Sequence, residues 1–308
     1  MPEPMSGPIN AIKMHSLGNT ILVIPPCEKM FWSSETIRAI SDGQTGIGVD
    51  QVMVCQYQSE TEQSTLKTSI WNRDGSSALA CGNGMRCVLA YLNTGVGEIV
   101  TLYGPVGVVQ GWKMPDHTLA IAQGSVTIGL DSSKQRPVHS PVNSTSDLPE
   151  TRFWIPSLQR GVVGIPAFIG NAHAIVLGPV PEGLPESWLA HNNDFPDGIN
   201  VSFVWPKLDR TPADFSEHTR THWLGDTFFV KTWERGVGLT QGCGSASCAI
   251  AEVLFTLQTM GNPDQKPAYT LIMPGGKMRL WRDGLNWVHC APVQIIAHCD
   301  WWYSDAQP

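Results

Sequence analysis

Two stretches of the sequence decide the fold, CGNGMRC at residues 81–87 and CGSASC at residues 243–248. Each stretch begins with a Cys-Gly pair, and a segment predicted to be helical follows at once, over about Gly82–Leu92 and Gly244–Gln258. Short runs rich in Val and Ile, punctuated by Gly, predict β-strands in the rest of the chain. The runs are Ile21–Ile24, Val52–Cys55, Gly124–Leu130, Ala174–Leu177, Val201–Trp205 and Phe228–Trp233. The sequence therefore predicts an α/β fold in which a cysteine twice introduces a helix.

A weak internal repeat connects the two stretches. Trp71-Asn72-Arg73 and Trp233-Glu234-Arg235 precede the two cysteines, and their offset of 162 (233 − 71) equals that of the cysteines (243 − 81). Further upstream, Gly18-Asn19 and Gly170-Asn171 are 152 residues apart, and one insertion of 10 residues (162 − 152) reconciles the offsets. Several such pairs in the same order predict two homologous halves.

The repeat divides the chain into two predicted domains, each with one Cys-Gly pair. The N-terminal half covers residues 1–135 and the C-terminal half covers residues 150–289. Residues 136–149 between them are rich in Ser, Pro and Asn, which is typical of a linker or surface loop. We leave open whether a C-terminal strand from about residues 290–308 returns to the first half.

Composition excludes several classes of function. The 308 residues carry a formal net charge of −7, and the Lys and Arg residues are scattered, so no nucleic-acid partner is expected. No apolar run approaches the roughly 20 residues that span a bilayer, so no membrane partner is expected. The polar, Pro-containing N-terminus lacks the apolar core of a signal peptide, which favours a cytoplasmic location.

The spacing and context of the eight cysteines indicate neither a disulfide framework nor a metal site. A chain of this length with 42% hydrophobic residues has enough material for a core without crosslinks, and the cytosol keeps thiols reduced. Zinc would need Cys81, Cys87, Cys243 and Cys248, but five and four residues separate the members of each pair. Structural zinc sites usually have two to four intervening residues, which the first pair exceeds. If the second cysteine of each pair lies on the predicted helix, it points about 240° or 140° away from the first, at roughly 100° per residue, so neither pair converges on one ion. No metal is therefore expected.

The two Cys-Gly turns suggest acid–base chemistry. A cysteine at a helix N-terminus lies beside unpaired backbone N–H groups and the positive end of the helix dipole. That environment favours a thiolate, which would make Cys81 and Cys243 usable bases, and the same N–H groups suit a carboxylate. One thiolate can remove the α-proton of an amino acid while an opposed thiol returns a proton to the other face. No phosphate-binding Gly loop with a Schiff-base lysine is recognisable, so no cofactor is expected.

The sequence resembles the diaminopimelate epimerase family from about Lys13 to Asp283. The matching residues are Lys13-Met14-His15, Leu17-Gly18-Asn19, Gly46–Gln51, Asn72, Asp74-Gly75-Ser76, Cys81–Cys87, Gly170-Asn171, His173, Phe195-Pro196, Asn200, Glu234-Arg235-Gly236 and Cys243-Gly244-Ser245. Their number and their order along the chain make the resemblance specific.

The resemblance implies two pseudo-symmetric domains, each a mixed β-sheet wrapped around a central helix. It implies inversion of LL-2,6-diaminopimelate, a small-molecule amino-acid substrate, to the meso form, without a cofactor. A homodimer is a further expectation that comes from the resemblance alone. Cys81 and Cys243 match the acid/base pair of the family. The matching substrate-binding positions are the backbone N–H groups of Gly82, Asn83, Gly244 and Ser245 for the reacting carboxylate, Asn72, Asn171, Asn200, Glu234 and Arg235 for the distal end, and Asn19 and Gln51 near the sulfurs.

Departures from the family pattern keep other functions open. Thr20-Ile21 replaces a usual Asp-Phe, Ala172 a common Pro, Leu239 a usual Glu, and Ala246-Ser247 a usual Gly-Ala. A second hypothesis is therefore a racemase of another polar amino acid, such as histidine or O-ureidoserine. A third is a non-catalytic binding protein on the same scaffold. The retained Glu234-Arg235 pair favours diaminopimelate, because a substrate without a second amino-acid end would leave these charges without a ligand.

Overall fold

The computed structural model divides the chain into two compact units. The first unit is formed by Met1–Ile121 with Ala291–Pro308, and the second by Ala122–Cys290. The residues that the structure describes are 8–26, 32–57, 66–131, 136–137, 148–155, 158–188, 195, 198–207, 225–259 and 267–302. Most of the predicted linker, residues 138–147, lies outside them, and the domain boundaries of the sequence analysis stay a prediction.

The first unit is built mainly from strands. Its elements are β1 (Ile9–Ser16), β2 (Asn19–Ile24), α1 (Ser34–Ser41), β3 (Gln51–Tyr57), β4 (Leu66–Asn72), β5 (Ser77–Ala78), α2 (Gly82–Leu92), β6 (Val100–Gly104), β7 (Gly107–Lys113), β8 (Leu119–Gly124) and, at the end of the chain, β21 (Gln294–Trp301). The predicted strands Ile21–Ile24 and Val52–Cys55 are confirmed as parts of β2 and β3.

These strands form a mixed sheet in the order β21-β1-β2-β3-β4-β6-β7. β2 runs parallel to β3 and β4 runs parallel to β6, whereas the other neighbours are antiparallel. The C-terminal strand β21 pairs with β1, from Ile9 opposite Trp301 onwards. The first and last strands of the chain therefore lie side by side in this unit.

Helix α2 lies at the centre of the first unit and begins and ends where the sequence predicts. Cys81 is its N-cap, since its carbonyl accepts from Met85 N–H at 2.9 Å. Asn93 ends the helix in the left-handed conformation, with φ 47°. Along the helix Val88 and Leu89 are fully buried. The core residues that pack with them come from strands on several sides, among them Met14, Ile21, Met53, Ile70, Leu102 and Ile121.

Helix α1 is absent from the sequence prediction. The Ser33 side chain caps it by accepting from Thr36 N–H at 3.1 Å, and Ile37 and Ile40 are buried on one face. A capping serine followed by apolar residues three apart is a helix signal. With eight residues, however, the helix is too short to be stable without the sheet beneath it.

The second unit repeats this organisation. Its elements are β9 (Thr127–Ile128), β10 (Leu130–Asp131), β11 (Arg136–Pro137), β12 (Thr151–Ile155), β13 (Arg160–Phe168), β14 (Ala172–Leu177), β15 (Asn200–Pro206), β16 (Thr227–Glu234), β17 (Gly238–Thr240), α3 (Gly244–Thr259), β18 (Ala268–Met273), β19 (Gly276–Asp283) and β20 (Asn286–Ala291). Strands β14, β15 and β16 and helix α3 confirm the predictions for these segments.

The main sheet of the second unit has the order β12-β13-β14-β15-β16-β18-β19-β20, with β14 parallel to β15 and β16 parallel to β18. Over its first seven strands, the alternation of parallel and antiparallel pairs matches that of the first unit. Helix α3 contacts β13, β14, β15 and β19. Each unit is thus a mixed sheet around one helix that follows a Cys-Gly pair.

One predicted strand is wrong. Gly124–Leu130 does not form a continuous strand, since β8 ends at Gly124, two residues pair in β9, and β10 begins at Leu130. Gly124 has a φ of 113° and Gly129 a φ of 95°. These conformations are open to glycine but turn the chain out of an extended path, so the apolar run is divided.

Candidate active site

The Cys81 sulfur lies in a network of amide groups in the first unit. It accepts the Gly84 N–H at 3.1 Å, as a helix N-cap side chain does, and Asn19 Nδ2 lies 4.0 Å away. The thiol also donates to Gln51 Oε1 at 2.7 Å. Three predicted site residues, Asn19, Gln51 and Cys81, are therefore brought together around one sulfur.

The network continues along the strand ends to Asn72. Gln51 and Asn72 are register partners in β3 and β4, and Gln51 Nε2 donates to Asn72 Oδ1 at 3.0 Å. Asn72 Nδ2 in turn donates to Ser76 Oγ at 3.1 Å. Each amide is held by its neighbour, so Asn72 is oriented by residues on both sides. Ser76 belongs to the Asp74-Gly75-Ser76 motif, but the sequence assigned it no role.

The Asn83 side chain is engaged inside the first unit. Asn83 is 3% exposed, and its Oδ1 accepts a hydrogen bond from Nη2 of the fully buried Arg86. Arg86 Nε also donates to Ser16 Oγ on β1 at 3.0 Å. Gly82 and Asn83 form the first turn of α2, the part of a helix whose backbone N–H groups suit an anion.

Gly84 allows α2 to lie against β3. A methyl group on Gly84 would overlap with Sδ of Met53 and lie 2.8 Å from its Cε. A side chain at residue 84 would therefore force the buried Met53 side chain to move or the helix to shift from the sheet. The glycine is part of the sequence motif, but its contact with Met53 is seen only in the structure.

Cys243 occupies the equivalent position in the second unit. Its carbonyl accepts from Ser247 N–H at 3.0 Å, the first bond of α3, and its sulfur lies 3.4 Å from Ser245 Oγ. Burial raises the pKa of the Cys243 thiol well above its usual value, and the negative charge of Glu234 raises it further. Hydrogen bonds from Ser245 and from the Ala246 N–H lower it only in part. The helix N-terminus therefore lowers the pKa of Cys243 as expected, through the Ala246 N–H, but burial and Glu234 outweigh it and favour the thiol.

Glu234 is a buried carboxyl group beside this thiol. Its Oε1 accepts from Thr240 Oγ1 at 2.8 Å, and the Cys243 thiol is a second hydrogen-bond partner. Burial raises the pKa of Glu234, and the hydrogen bonds from Thr240 and Cys243 act in the opposite direction. From the sequence, Glu234 was expected to bind the distal end of a substrate. The structure also places its carboxyl group in a hydrogen bond with the Cys243 thiol. Thr240 was missed as a site residue.

The two units differ at one equivalent position. Asn72 is the last residue of β4 and lies nine residues before Cys81, and Glu234 is the last residue of β16 and lies nine residues before Cys243. Gln51 faces Asn72 in the register of the first unit. In the second unit the corresponding residue is Asn200, because it comes directly before Val201, which pairs with Trp233, and Trp233 comes directly before Glu234. The repeat thus places a neutral amide near one cysteine and a carboxyl group near the other.

A polar cavity lies in the second unit. Its volume is about 120 Å³, well above the roughly 10–15 Å³ that one water molecule needs. Asn200 is oriented within it, because its Oδ1 accepts the Arg235 N–H at 2.8 Å. Gly198 has a φ of 80°, and a methyl group there would lie 3.1 Å from the Arg235 side chain. The lining residues are Asn171, Ala172, Gly198, Ile199, Asn200, Glu234 and Arg235, so the cavity collects all the predicted distal residues of this unit.

His173 lies behind this cavity. It is fully buried on β14 opposite Asn200 on β15, and its Nε2 is 2.8 Å from Asn171 Oδ1. Burial lowers the pKa of His173 to about 3, so the imidazole is neutral at ordinary pH. No acid or base role was predicted for His173, and among the described residues its side chain hydrogen-bonds to Asn171.

Two further properties concern the described residues alone. None of their helices is long and apolar enough to cross a membrane. Within the same ranges, no three His, Cys, Asp or Glu side chains are grouped as a metal ion would require.

Comparison with known proteins identifies the relatives of this chain. The family model described as diaminopimelate epimerase matches residues 11–127. The diaminopimelate epimerase of Bartonella henselae is 30% identical over 292 residues, which cover 92% of this chain and 91% of that protein. The diaminopimelate epimerase of Bartonella quintana is 32% identical over 251 residues, or 79% of each chain.

Solved structures show the same fold. The crystal structure of a hydroxyproline epimerase from Agrobacterium vitis, with bound trans-4-hydroxy-L-proline, superposes with a TM-score of 0.62 and 11% sequence identity. The match covers 97% of this chain and 93% of that one. The predicted fold class, two pseudo-symmetric units each with a mixed sheet around a helix, is therefore confirmed.

The fold and the relatives define an isomerase of the amino-acid epimerase and racemase class. Within that class, the chain belongs to the diaminopimelate epimerase family.

Proposed function

We propose that the protein inverts one α-carbon of LL-2,6-diaminopimelate to give the meso form, with Cys81 and Cys243 as a two-base pair. One sulfur, as a thiolate, takes the α-proton, and the electron pair of the broken C–H bond passes to the carboxylate. The other sulfur, as a thiol, then donates its proton to the opposite face of the same carbon. The reaction is redox-neutral and needs no cofactor.

The surroundings of the two sulfurs support different starting roles. Cys243 is buried beside the Glu234 carboxyl group, so its proton is held and it starts as the acid. The base is then Cys81, whose sulfur accepts the Gly84 N–H and lies 4.0 Å from Asn19 Nδ2. The proton that its thiol donates to Gln51 Oε1 must leave before the sulfur can act as a base. In the reverse direction the roles exchange, because each turnover moves the proton from one sulfur to the other.

The N-termini of the two helices support binding of the reacting carboxylate. The first N–H groups of α2 belong to Gly82 and Asn83, and those of α3 belong to Gly244 and Ser245. These donors are aimed along the helix axes and need no reorganisation as negative charge grows on the carboxylate. They would favour the carbanion more than the substrate, which is the requirement for lowering the barrier.

The cavity of the second unit is the single observation that carries the choice of substrate. It combines the cationic Arg235, the acidic Glu234 and the amides of Asn171 and Asn200 in about 120 Å³. A second amino-acid end presents one carboxylate and one ammonium group, and these complement that set of charges and donors. A substrate with an uncharged side chain would leave the charged lining unpaired.

The test is incubation of LL- and meso-2,6-diaminopimelate in deuterated water, followed by mass spectrometry and chiral chromatography. The wild type should interconvert both forms and incorporate one deuterium at Cα. Cys81→Ser and Cys243→Ser should each slow inversion about a hundredfold or more, because each direction needs both groups. Cys299→Ser, at a partly exposed free cysteine of β21, is the matched control and should invert at the wild-type rate.

The other hypotheses give different results. Full inversion by either active-site variant would overturn the two-base scheme. Exchange with histidine or O-ureidoserine, but none with diaminopimelate, would change the substrate and leave the chemistry in place. A binding protein would show no exchange with any of these amino acids, and Cys81→Ala would leave its affinity for diaminopimelate intact.

A further inference from the structure

His173 is a buried polar residue that the proposed mechanism does not use. Its side chain has no exposure, and Nε2 lies 2.8 Å from Asn171 Oδ1. Its other nitrogen, Nδ1, is buried and has no hydrogen-bond partner among the described residues. A residue that keeps one polar atom unsatisfied at a cost to stability invites an explanation in terms of function.

Hydrogen bonding decides which nitrogen carries the proton. A hydrogen on Nδ1 would be a buried donor without an acceptor, the rarer and more costly kind of unsatisfied group. With the hydrogen on Nε2, the imidazole donates to Asn171 Oδ1, and only a lone pair on Nδ1 remains unpaired. Burial keeps the ring neutral, so the same tautomer persists through the ordinary pH range.

We infer that His173 is a positioning residue whose Nε2–H fixes the side-chain amide of Asn171, so that its Nδ2 group is presented to the polar cavity as a donor for a substrate carboxylate. This inference rests on the proposed function, in which Asn171 is a substrate ligand. His173 itself does not line the cavity, whereas Asn171 does. It therefore acts only through its neighbour.

Asn200 provides an independent parallel in the same cavity. Its Oδ1 accepts the Arg235 N–H at 2.8 Å. Because the oxygen of the amide is fixed in this way, the position of its Nδ2 group is fixed as well. Both amides that line the cavity thus have their oxygen occupied by a protein donor. Two oriented NH₂ groups in a cavity that Arg235 also lines form a set of donors, which favours a carboxylate over an ammonium group there.

Two substitutions separate positioning from packing. In His173→Gln the side-chain Nε2 reaches about as far as the imidazole Nε2 and can still donate to Asn171. In His173→Asn the amide is shorter and cannot reach. We expect His173→Asn to raise KM for LL-2,6-diaminopimelate about tenfold, the effect of one misdirected hydrogen bond to a charged group, with kcat changed less than about twofold. His173→Gln should stay within about threefold of the wild type in both constants.

A readout without substrate makes the inference independent of the enzyme assay. The ¹⁵N chemical shifts of the His173 ring in the wild type, recorded between pH 5 and 8, report which nitrogen is protonated. We expect a hydrogen on Nε2 and none on Nδ1 throughout. A hydrogen on Nδ1, or a charged ring, would overturn the inference and leave the proposed function standing.

The kinetic outcomes are equally decisive. Equal increases in KM for the Gln and Asn variants, or a fall in kcat with KM unchanged, would overturn the positioning role. If the wild type neither exchanges nor inverts diaminopimelate, the proposed function fails and the ring shifts alone decide the role of His173. An Nε2–H tautomer then supports the fixed Asn171 amide, and any other state overturns it.

Discussion

Replacing His173 with glutamine should change how the stability of the protein depends on pH. The folded-state pKa of His173 is about 3, against an ordinary value of 6.5, because the ring is buried. The unfolded chain therefore binds one more proton than the folded chain between pH 6.5 and 3. By linkage, the wild type loses stability as the pH falls through this window, and the loss is absent above pH 6.5.

The magnitude follows from the width of the window. Each pH unit below 6.5 costs the wild type about 1.4 kcal/mol for this single proton, so the cost at pH 5 is about 2 kcal/mol. His173→Gln has no group to titrate and avoids this cost. The difference in unfolding free energy between variant and wild type should therefore shift by about 2 kcal/mol in favour of the variant between pH 7.5 and pH 5.

Urea unfolding followed by tryptophan fluorescence measures this difference at each pH. His298→Gln, at an exposed histidine of β21, is the matched control for a change of histidine to glutamine. The comparison of each variant with the wild type removes the contribution of all other titrating groups. A difference for His173→Gln that stays constant from pH 7.5 to 5 would refute a buried, neutral imidazole.

Three other changes test the site and its support. Gly84→Ala should destabilise the protein by about 1–3 kcal/mol in urea unfolding, because the new methyl group overlaps with Met53; Met53→Val in the same chain should recover part of the loss. Gly198→Ala should cost about 1–2 kcal/mol, since residue 198 has a left-handed φ, and should also raise KM by displacing the arginine side chain it touches. Glu234→Gln should lower the pKa of the Cys243 thiol, seen as alkylation of that cysteine by iodoacetamide at lower pH.

One control variant and three contradicting outcomes test these predictions. Gly170→Ala places a methyl group at a similar φ of 75° with no atom within 4 Å, so it should lose stability through strain alone and leave the side chain of Arg235 in place. Equal effects of Gly170→Ala and Gly198→Ala on KM would argue against the contact. If the losses in unfolding free energy from Gly84→Ala and Met53→Val simply added in the double variant, the two residues would not be packed against each other as described. An unchanged alkylation profile in Glu234→Gln would show that the carboxyl group does not act on the thiol.

Prediction from sequence succeeded where the signal was local. Helix α2 was predicted over about Gly82–Leu92 because the Cys-Gly pair before it is a signal within the chain itself, and the structure adds that Asn93 ends it in the left-handed conformation. The strand over Gly124–Leu130 was wrong because its apolar composition carries no information about the backbone angles of its glycines. Helix α1 was missed because its stability comes from burial of Ile37 and Ile40, not from its eight residues.

The sequence by itself determined the repeat, the two cysteines that each introduce a helix, and the family to which they point. The repeat and the family resemblance are properties of residue order and spacing along the chain, and capping acts between near neighbours. Only the tertiary structure decided that Glu234 lies beside Cys243 and is held by Thr240, and that His173 is a buried partner of Asn171. Burial and the approach of a charge depend on which strands pair and on how tightly they pack. For that reason the two cysteines, alike in sequence, differ in their electrostatic surroundings.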